Sequence, residues 1–129
     1  MKLFLLDAGG AGLVIGVLIV FMFIAIIVEA LTMIIMKYSK PGKAFLDSLV
    51  INLVSLVGGY CVIFFFDSLD ISSNALLNFI LLYLLTVLIE GISLYFLNRS
   101  KPVNKTILTA VVINLITYAG LFFLNTYYI

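Results

Sequence analysis

The sequence predicts an all-α membrane protein whose four transmembrane helices form two repeated helical hairpins. Three observations lead to this prediction. Hydrophobic residues make up 65% of the chain and charged residues only 10%, long apolar runs alternate with short polar connections, and several polar residues recur in the same order in the two halves. A soluble domain needs a polar surface to meet water, and so few charged residues cannot cover one. Lipid is therefore the expected solvent for most of the chain.

Each apolar run is long enough to cross a bilayer. About 20 residues span ~30 Å of hydrocarbon. The lipid core offers the backbone no hydrogen-bond partners, so each run is predicted to be a helix. Because the connections are short, consecutive helices are expected to be antiparallel neighbours within a single domain, residues 1–129. The predicted spans are 11–36 and 44–66, which form the first hairpin (11–66), and 75–97 and 106–128, which form the second (75–128).

Basic residues predict how the helices are oriented. The connections 37–43 and 98–105 hold three basic residues each, whereas 67–74 holds two aspartates and no basic residue. By the positive-inside rule, the two basic connections are expected in the cytoplasm and both termini on the outer side of the cell (inner) membrane. The apolar stretch Leu3–Leu6 is too short for the core of a signal peptide, so it is interpreted as an interfacial segment that leads into the first helix.

The second half of the chain repeats the first. An offset of 61 residues superimposes Glu29 on Glu90, and one extra residue in the last connection then makes the offset 62. Apolar matches arise easily because membrane helices use few residue types, so the polar matches support the inference. They predict duplication of a hairpin, with parallel repeats related by a pseudo-two-fold axis along the membrane normal. The matches are Glu29 with Glu90, Thr32 with Ser93, Ser39-Lys40-Pro41 with Ser100-Lys101-Pro102, Asn52 with Asn114, and Ser55 with Thr117.

Polar side chains from all four helices are predicted at one depth. The two glutamates and two asparagines lie eight or nine residues from a basic residue of the nearest connection, which places them roughly 12–14 Å from the cytoplasmic interface. An ionised acid at the centre of a membrane helix costs roughly 2.5–3.5 kcal/mol, and no basic side chain is expected at that height. A bound proton or a hard monovalent or divalent cation is therefore the one ligand expected, with no other cofactor and no dedicated metal centre. The candidate site residues are Glu29, Glu90, Asn52, Asn114, Thr32, Ser93, Ser55 and Thr117.

The sequence leaves two functions open. In the first, the chain is a proton- or cation-coupled transporter or channel that uses the two intramembrane glutamates, because transporters place ion sites near the midplane at repeat interfaces. In the second, it is a structural or accessory subunit of a larger membrane complex, and the acids and amides are interhelical hydrogen-bond glue. The second function predicts that Glu→Gln variants keep their activity.

The chain is not expected to be an enzyme. It has no histidine, its one cysteine (Cys61) lies in an apolar run, and it shows no nucleophile motif. The formal net charge of +1 gives no reason to expect nucleic acid as a partner. The expected partners are the lipid bilayer and either a second copy in a homodimer or a larger membrane protein, because four helices make a thin bundle.

Overall fold

The computed structural model describes residues 8–67 and 75–128, which contain four long α-helices and no strand. Every helix includes a segment long and apolar enough to cross a membrane. The prediction of an all-α membrane protein with four candidate transmembrane helices is therefore confirmed. The helices are α1 (Ala8–Ile35), α2 (Pro41–Asp67), α3 (Ala75–Leu97) and α4 (Val103–Tyr128).

Three helices begin before the predicted apolar runs do. α1 starts at Ala8, α2 at Pro41 and α4 at Val103, ahead of the predicted positions 11, 44 and 106. Hydrophobicity marks only the part of a helix that lies in hydrocarbon, and a proline in the first turn loses an N–H that would have had no partner there. The predicted interfacial segment Leu3–Leu6 and the acidic residue Asp70 lie outside the described residues.

The first hairpin turns through a Schellman motif. The N–H of Lys37 donates to the carbonyl of Ile34 at 2.9 Å, and the N–H of Tyr38 donates to the carbonyl of Met33 at 2.8 Å. Lys37 has a φ of 52°, the left-handed conformation that this motif requires. The motif reverses the chain within 36–40. We call the end of the bundle with the connections 36–40 and 98–102 the basic end, and the opposite end the far end.

The four helices pack in a ring. α1 and α3 each contact α2 and α4, whereas in the diagonal pairs, α1 with α3 and α2 with α4, no two described residues have Cα atoms within 8 Å of each other. Small residues allow the close approaches in this ring. A Cβ added at Gly91 would lie 3.5 Å from the Cβ of Ala110, and one added at Gly58 would lie 2.9 Å from Cδ1 of Ile89. α3 is thus close to both of its neighbours near the middle of the bundle.

The packed core lies at the basic end. In the far half of the bundle, which comprises residues 15–25, 52–62, 76–89 and 115–123, none of the described side chains is buried. All residues from Leu76 to Leu82 are exposed. The buried core of the described residues therefore lies at the basic end, and the described side chains of the far half are partly or largely exposed. The buried apolar side chains are Ile26, Ala30, Met33, Tyr38, Ala44, Ile51, Leu94, Ala110 and Ile113.

Candidate intramembrane carboxylate site

Each hairpin joins its glutamate to its asparagine. In the first hairpin, the side-chain amide of Asn52 on α2 donates to Oε2 of Glu29 on α1. In the second, the amide of Asn114 on α4 donates to Oε2 of Glu90 on α3 at 2.8 Å. Both carboxylates are only 2% exposed. The acid and amide that the sequence predicts at one depth therefore form a pair inside each hairpin.

The asparagine amides also bond to their own helices. The Asn52 amide donates to the carbonyl of Ser48 at 2.9 Å, and the Asn114 amide donates to the carbonyl of Ala110 at 3.0 Å. An amide has two N–H groups, so each asparagine uses one on the acid and one on the preceding turn. This second bond fixes the orientation of the amide toward the neighbouring helix.

Two hydroxyls approach the acids from the other hairpin. Thr117 on α4 lies close to Glu29, and Ser55 on α2 lies close to Glu90. The two glutamates also interact with each other electrostatically. The Thr117 hydroxyl is buried and lies near Glu29, but it makes no hydrogen bond to a described residue. The site therefore combines groups from all four helices.

Thr32 and Ser93 lie apart from this arrangement. The Thr32 hydroxyl donates to the carbonyl of Val28 at 2.7 Å, and the Ser93 hydroxyl donates to the carbonyl of Ile89 at 2.7 Å. A hydroxyl on a membrane helix commonly satisfies its single O–H in this way, on the preceding turn. The structure brings the other candidates together around the carboxylates and leaves these two hydroxyls bonded to their own helices.

Ser48 is a partner of Glu29 that the predicted site omitted. Its hydroxyl lies 2.9 Å from Oε2 of Glu29 and 3.0 Å from the carbonyl of Ile26, and the residue is fully buried. The sequence carries a signal for this role, because Ser48 lies one turn before Asn52 on the same face of the helix. In the predicted repeat, the matching position of the second hairpin is Ala110, which has no hydroxyl. The repeat pattern therefore did not indicate Ser48.

Within the part of the chain that the structure describes, no basic side chain forms an ion pair with either carboxylate. Among residues 8–67 and 75–128 the one salt bridge joins Lys43 to Asp47 at 2.8 Å, at the basic end. The same part of the chain contains no cluster of three or more histidine, cysteine, aspartate or glutamate side chains that could hold a metal ion. The acids are thus stabilised by neutral donors alone, so a proton or a cation would reduce the charge that this buried site must hold.

A second polar network closes the basic end, and the predicted site did not include it. Asp47 is 2% exposed and accepts hydrogen bonds from Lys43 at 2.8 and 2.9 Å and from the Asn98 amide at 2.9 Å. The hydroxyls of Tyr38 and Thr106 lie 3.0 Å apart. The spacing of Lys43 and Asp47 signals an ion pair on one helix face. The contacts with Asn98 and between Tyr38 and Thr106 join different hairpins, so no local pattern predicts them.

The fold and the two acid–amide pairs define the class of protein: a four-helix membrane protein with carboxylates buried inside the spans. Comparison with protein-family models, curated proteins and solved structures finds no match to this chain.

Proposed function

We propose that this chain is a small proton- or cation-coupled transporter or channel, and that Glu29 and Glu90 bind the coupling ion. The observation that carries the proposal is the burial of two carboxylates that form no ion pair with any basic side chain among residues 8–67 and 75–128. An ionisable residue inside a membrane helix is expensive and usually functional. Interhelical glue does not require an acid, since a glutamine in the same place could hydrogen-bond to its neighbours without bringing a charge into the bilayer.

Internal duplication supports this proposal. We infer that the hairpins 11–66 and 75–128 are parallel repeats about a pseudo-two-fold axis along the membrane normal. The hydrogen bonds made by Asn52 and by Asn114 follow one pattern. At the basic end, the amine of Lys43 lies 3.5 Å from the carbonyl of Leu97, and that of Lys105 lies 3.2 Å from the carbonyl of Lys37. Each lysine thus caps the end of the first helix of the other hairpin, an exchange expected of two-fold symmetry.

The exposure of the far half supports access to the acids from the far end. On that side of the glutamates, Asn52, Ser55 and Thr117 are partly buried, and none of the described side chains beyond them is buried. We propose that an ion enters from the far end, reduces the charge at the acid pair, and leaves toward the basic end after the helices shift. The contacts of Asp47 and Tyr38 would have to break in that shift. Alternation between such states is how repeat-built transporters operate.

The proposed location is the cell (inner) membrane. The two basic connections would face the cytoplasm and both termini the outside, because short basic loops are retained on the cytoplasmic side. In this orientation the far half would face the outer side of the membrane. A homodimer would supply further helices to enclose a pathway, because a bundle of four helices is thin.

A flux measurement tests this function. The purified protein is reconstituted in liposomes with an internal pH dye, and proton movement is followed under imposed gradients of pH, Na⁺ and K⁺. We expect Glu29→Gln and Glu90→Gln each to reduce flux at least tenfold, and the double variant to match empty liposomes. Cys61→Ala, a change at an exposed site on α2, is the control and should keep the wild-type rate. Full flux in the double variant would contradict the role of the acids.

An accessory role is the second candidate, and the exposed apolar side chains near the start of α3 favour it. All residues from Leu76 to Leu82 are exposed, and a partner helix could cover them. In this case the glutamates act as glue, wild-type liposomes show no flux, and Glu→Gln variants keep their activity in the complex. Crosslinking in native membranes from a photoreactive residue placed at Leu76 would then capture a different membrane protein.

A further inference from the structure

The ammonium group of Lys43 lies among oxygen atoms where the start of α2 meets the end of α3. It donates to both carboxylate oxygens of Asp47, at 2.8 and 2.9 Å, and its nitrogen lies 3.5 Å from the carbonyl oxygen of Leu97. Leu97 is the last residue of α3, and the carbonyls at the end of a helix carry the negative pole of its dipole. A buried carboxylate and a helix end therefore hold one positive charge between them.

Asn98 adds an oxygen atom that no described residue uses. The residue is 3% exposed, and its amide nitrogen donates to Oδ2 of Asp47 at 2.9 Å. Its Oδ1 is buried and accepts no hydrogen bond from a described residue. Because the two polar atoms of one amide are about 2.2 Å apart, Oδ1 lies within about 5 Å of the Asp47 carboxylate. A buried carbonyl oxygen without a donor is costly, and a cation beside it would remove that cost.

The ammonium group is the exchangeable part of this arrangement. Asp47 is 2% exposed, whereas the Lys43 side chain is 47% exposed. The lysine therefore reaches the carboxylate from the solvent side, and its flexible four-carbon stem allows it to leave without moving a helix. Asp47 and Asn98 are fixed by burial and by the hydrogen bond between them. When the lysine swings out, their oxygens still surround the position of a monovalent cation.

We propose that Asp47, Asn98 and the carbonyl of Leu97 form a binding site for one K⁺ ion, and that Lys43 competes with the ion for this site. Carboxylate and carbonyl oxygens suit alkali cations. One carboxylate balances a monovalent ion, whereas a divalent ion would leave a buried charge without a partner. An ammonium nitrogen at 2.8 and 2.9 Å from its oxygens occupies nearly the same space as K⁺, and the smaller Na⁺ would need those oxygens to move closer.

The second hairpin has no equivalent of this site. In the predicted repeat, Thr109 takes the position of Asp47, and its hydroxyl donates to the carbonyl of Lys105 at 2.8 Å. The amine of Lys105 lies 3.2 Å from the carbonyl of Lys37, so this lysine contacts a main-chain carbonyl in the same way but has no carboxylate partner. Lys105 is therefore a matched control for Lys43.

Equilibrium dialysis with radioactive Rb⁺, a tracer for K⁺, tests the proposal on the full chain in phosphatidylcholine nanodiscs. We expect Lys43→Met to bind the tracer about tenfold more tightly than the wild type, because a tethered competitor acts at a high effective concentration. Adding Asp47→Asn or Asn98→Leu to this variant should abolish the gain, and unlabelled K⁺ should displace the tracer better than Na⁺. Lys105→Met should bind like the wild type. A Lys43→Met variant that binds no more tracer than the wild type would overturn the proposal.

A second measurement uses the wild-type chain and needs no substitution. The amines are labelled with an N-hydroxysuccinimide ester in KCl, NaCl or choline chloride of equal ionic strength, and mass spectrometry compares Lys43 with Lys105. We expect labelling of Lys43 relative to Lys105 to be highest in KCl, because K⁺ displaces its amine from the carboxylate into solvent. Equal ratios in the three salts would count against a K⁺ site.

The proposed site is separate from the glutamate pair, so its test is separable from that of the proposed function. Asp47 lies five residues before Asn52, about 7.5 Å along α2 toward the basic end. Tight Rb⁺ binding in Lys43→Met without ion flux through the wild type would support this site and contradict the transport function. Flux that depends on Glu29 and Glu90 without such binding would overturn the site and leave the proposed function standing.

Discussion

Glu29 and Glu90 each pair with an asparagine of their own hairpin, yet their surroundings differ. Glu29 accepts hydrogen bonds from Ser48 and Asn52, whereas the donor to Glu90 within its own hairpin is Asn114. The difference traces to one position of the predicted repeat, which is Ser48 in the first hairpin and Ala110 in the second. Beyond the acids, Tyr83 and Tyr118 in the second hairpin take the positions of Met22 and Leu56 in the first. The two halves thus have similar acid–amide pairs but different supporting side chains, which predicts unequal responses to matched substitutions.

The largest expected effects concern the two asparagines. Asn114→Leu removes the α4 amide that donates to Glu90, while Asn52→Leu leaves Ser48 bonded to Glu29. We expect losses of about 2 and about 1 kcal/mol in the free energy of unfolding, because a buried acceptor that loses its amide donor costs more than the average hydrogen bond contributes. Reversible unfolding in mixed micelles measures both. Equal losses would show that Ser48 does not support Glu29.

Smaller losses are expected for the two capping lysines. Lys43→Met leaves the buried Asp47 without its cation, whereas Lys105→Met removes only the contact with the carbonyl of Lys37. We expect losses of about 1.5 and about 0.5 kcal/mol, the first reduced because the Lys43 side chain is 47% exposed. The same unfolding assay applies, with Lys40→Met as a control at an exposed site. Equal losses in Lys105→Met and Lys43→Met would show that the ion pair between Lys43 and Asp47 adds no measurable stability.

Exchanging Ser48 and Ala110 tests the source of the asymmetry directly. Ser48→Ala should cost about 1 kcal/mol, since it removes a donor to Glu29. Ala110→Ser adds a donor in the matching place. The facing residue, Gly91, has no side chain to obstruct the new hydroxyl, since even a Cβ added at Gly91 would lie 3.5 Å from the Cβ of Ala110. We expect a change between zero and a gain of about 0.5 kcal/mol. A clear loss of stability in Ala110→Ser would mean that the two sites are not equivalent in shape.

The smallest effect is expected at Tyr38, which has no tyrosine counterpart in the second hairpin. Tyr38→Phe removes the contact with Thr106, for a loss of about 0.5 kcal/mol. Burial raises the pKa of the Tyr38 phenol above its ordinary value of 10.0. A raised pKa in the folded state leaves stability unaffected below pH 10 and lowers it as the pH rises further. The phenylalanine variant should lose stability less steeply above pH 10, and an identical slope would assign the alkaline loss to other groups.

The positions of the spans were determined by the sequence itself. Four apolar runs in a chain with few charges leave lipid as the only solvent, and the backbone must then form helices. The depth of the glutamates and asparagines also follows from the sequence, because the rise per residue is constant along a helix. This is why Glu29 pairs with Asn52, and Glu90 with Asn114, as their shared depth implied.

The rotation of each side chain, and its partner, were decided by the tertiary structure. Thr32 and Ser93 lie one turn from the glutamates, yet their hydroxyls bond to their own helices, whereas Ser55 and Thr117 approach the acid of the opposite hairpin. Asp47 meets Asn98 across the bundle, and the Tyr118 ring on α4 packs edge to face against Phe79 and Tyr83 on α3. Depth along a helix is a local property, but the neighbour at that depth depends on how the four helices are rotated and packed, which no single run of residues specifies.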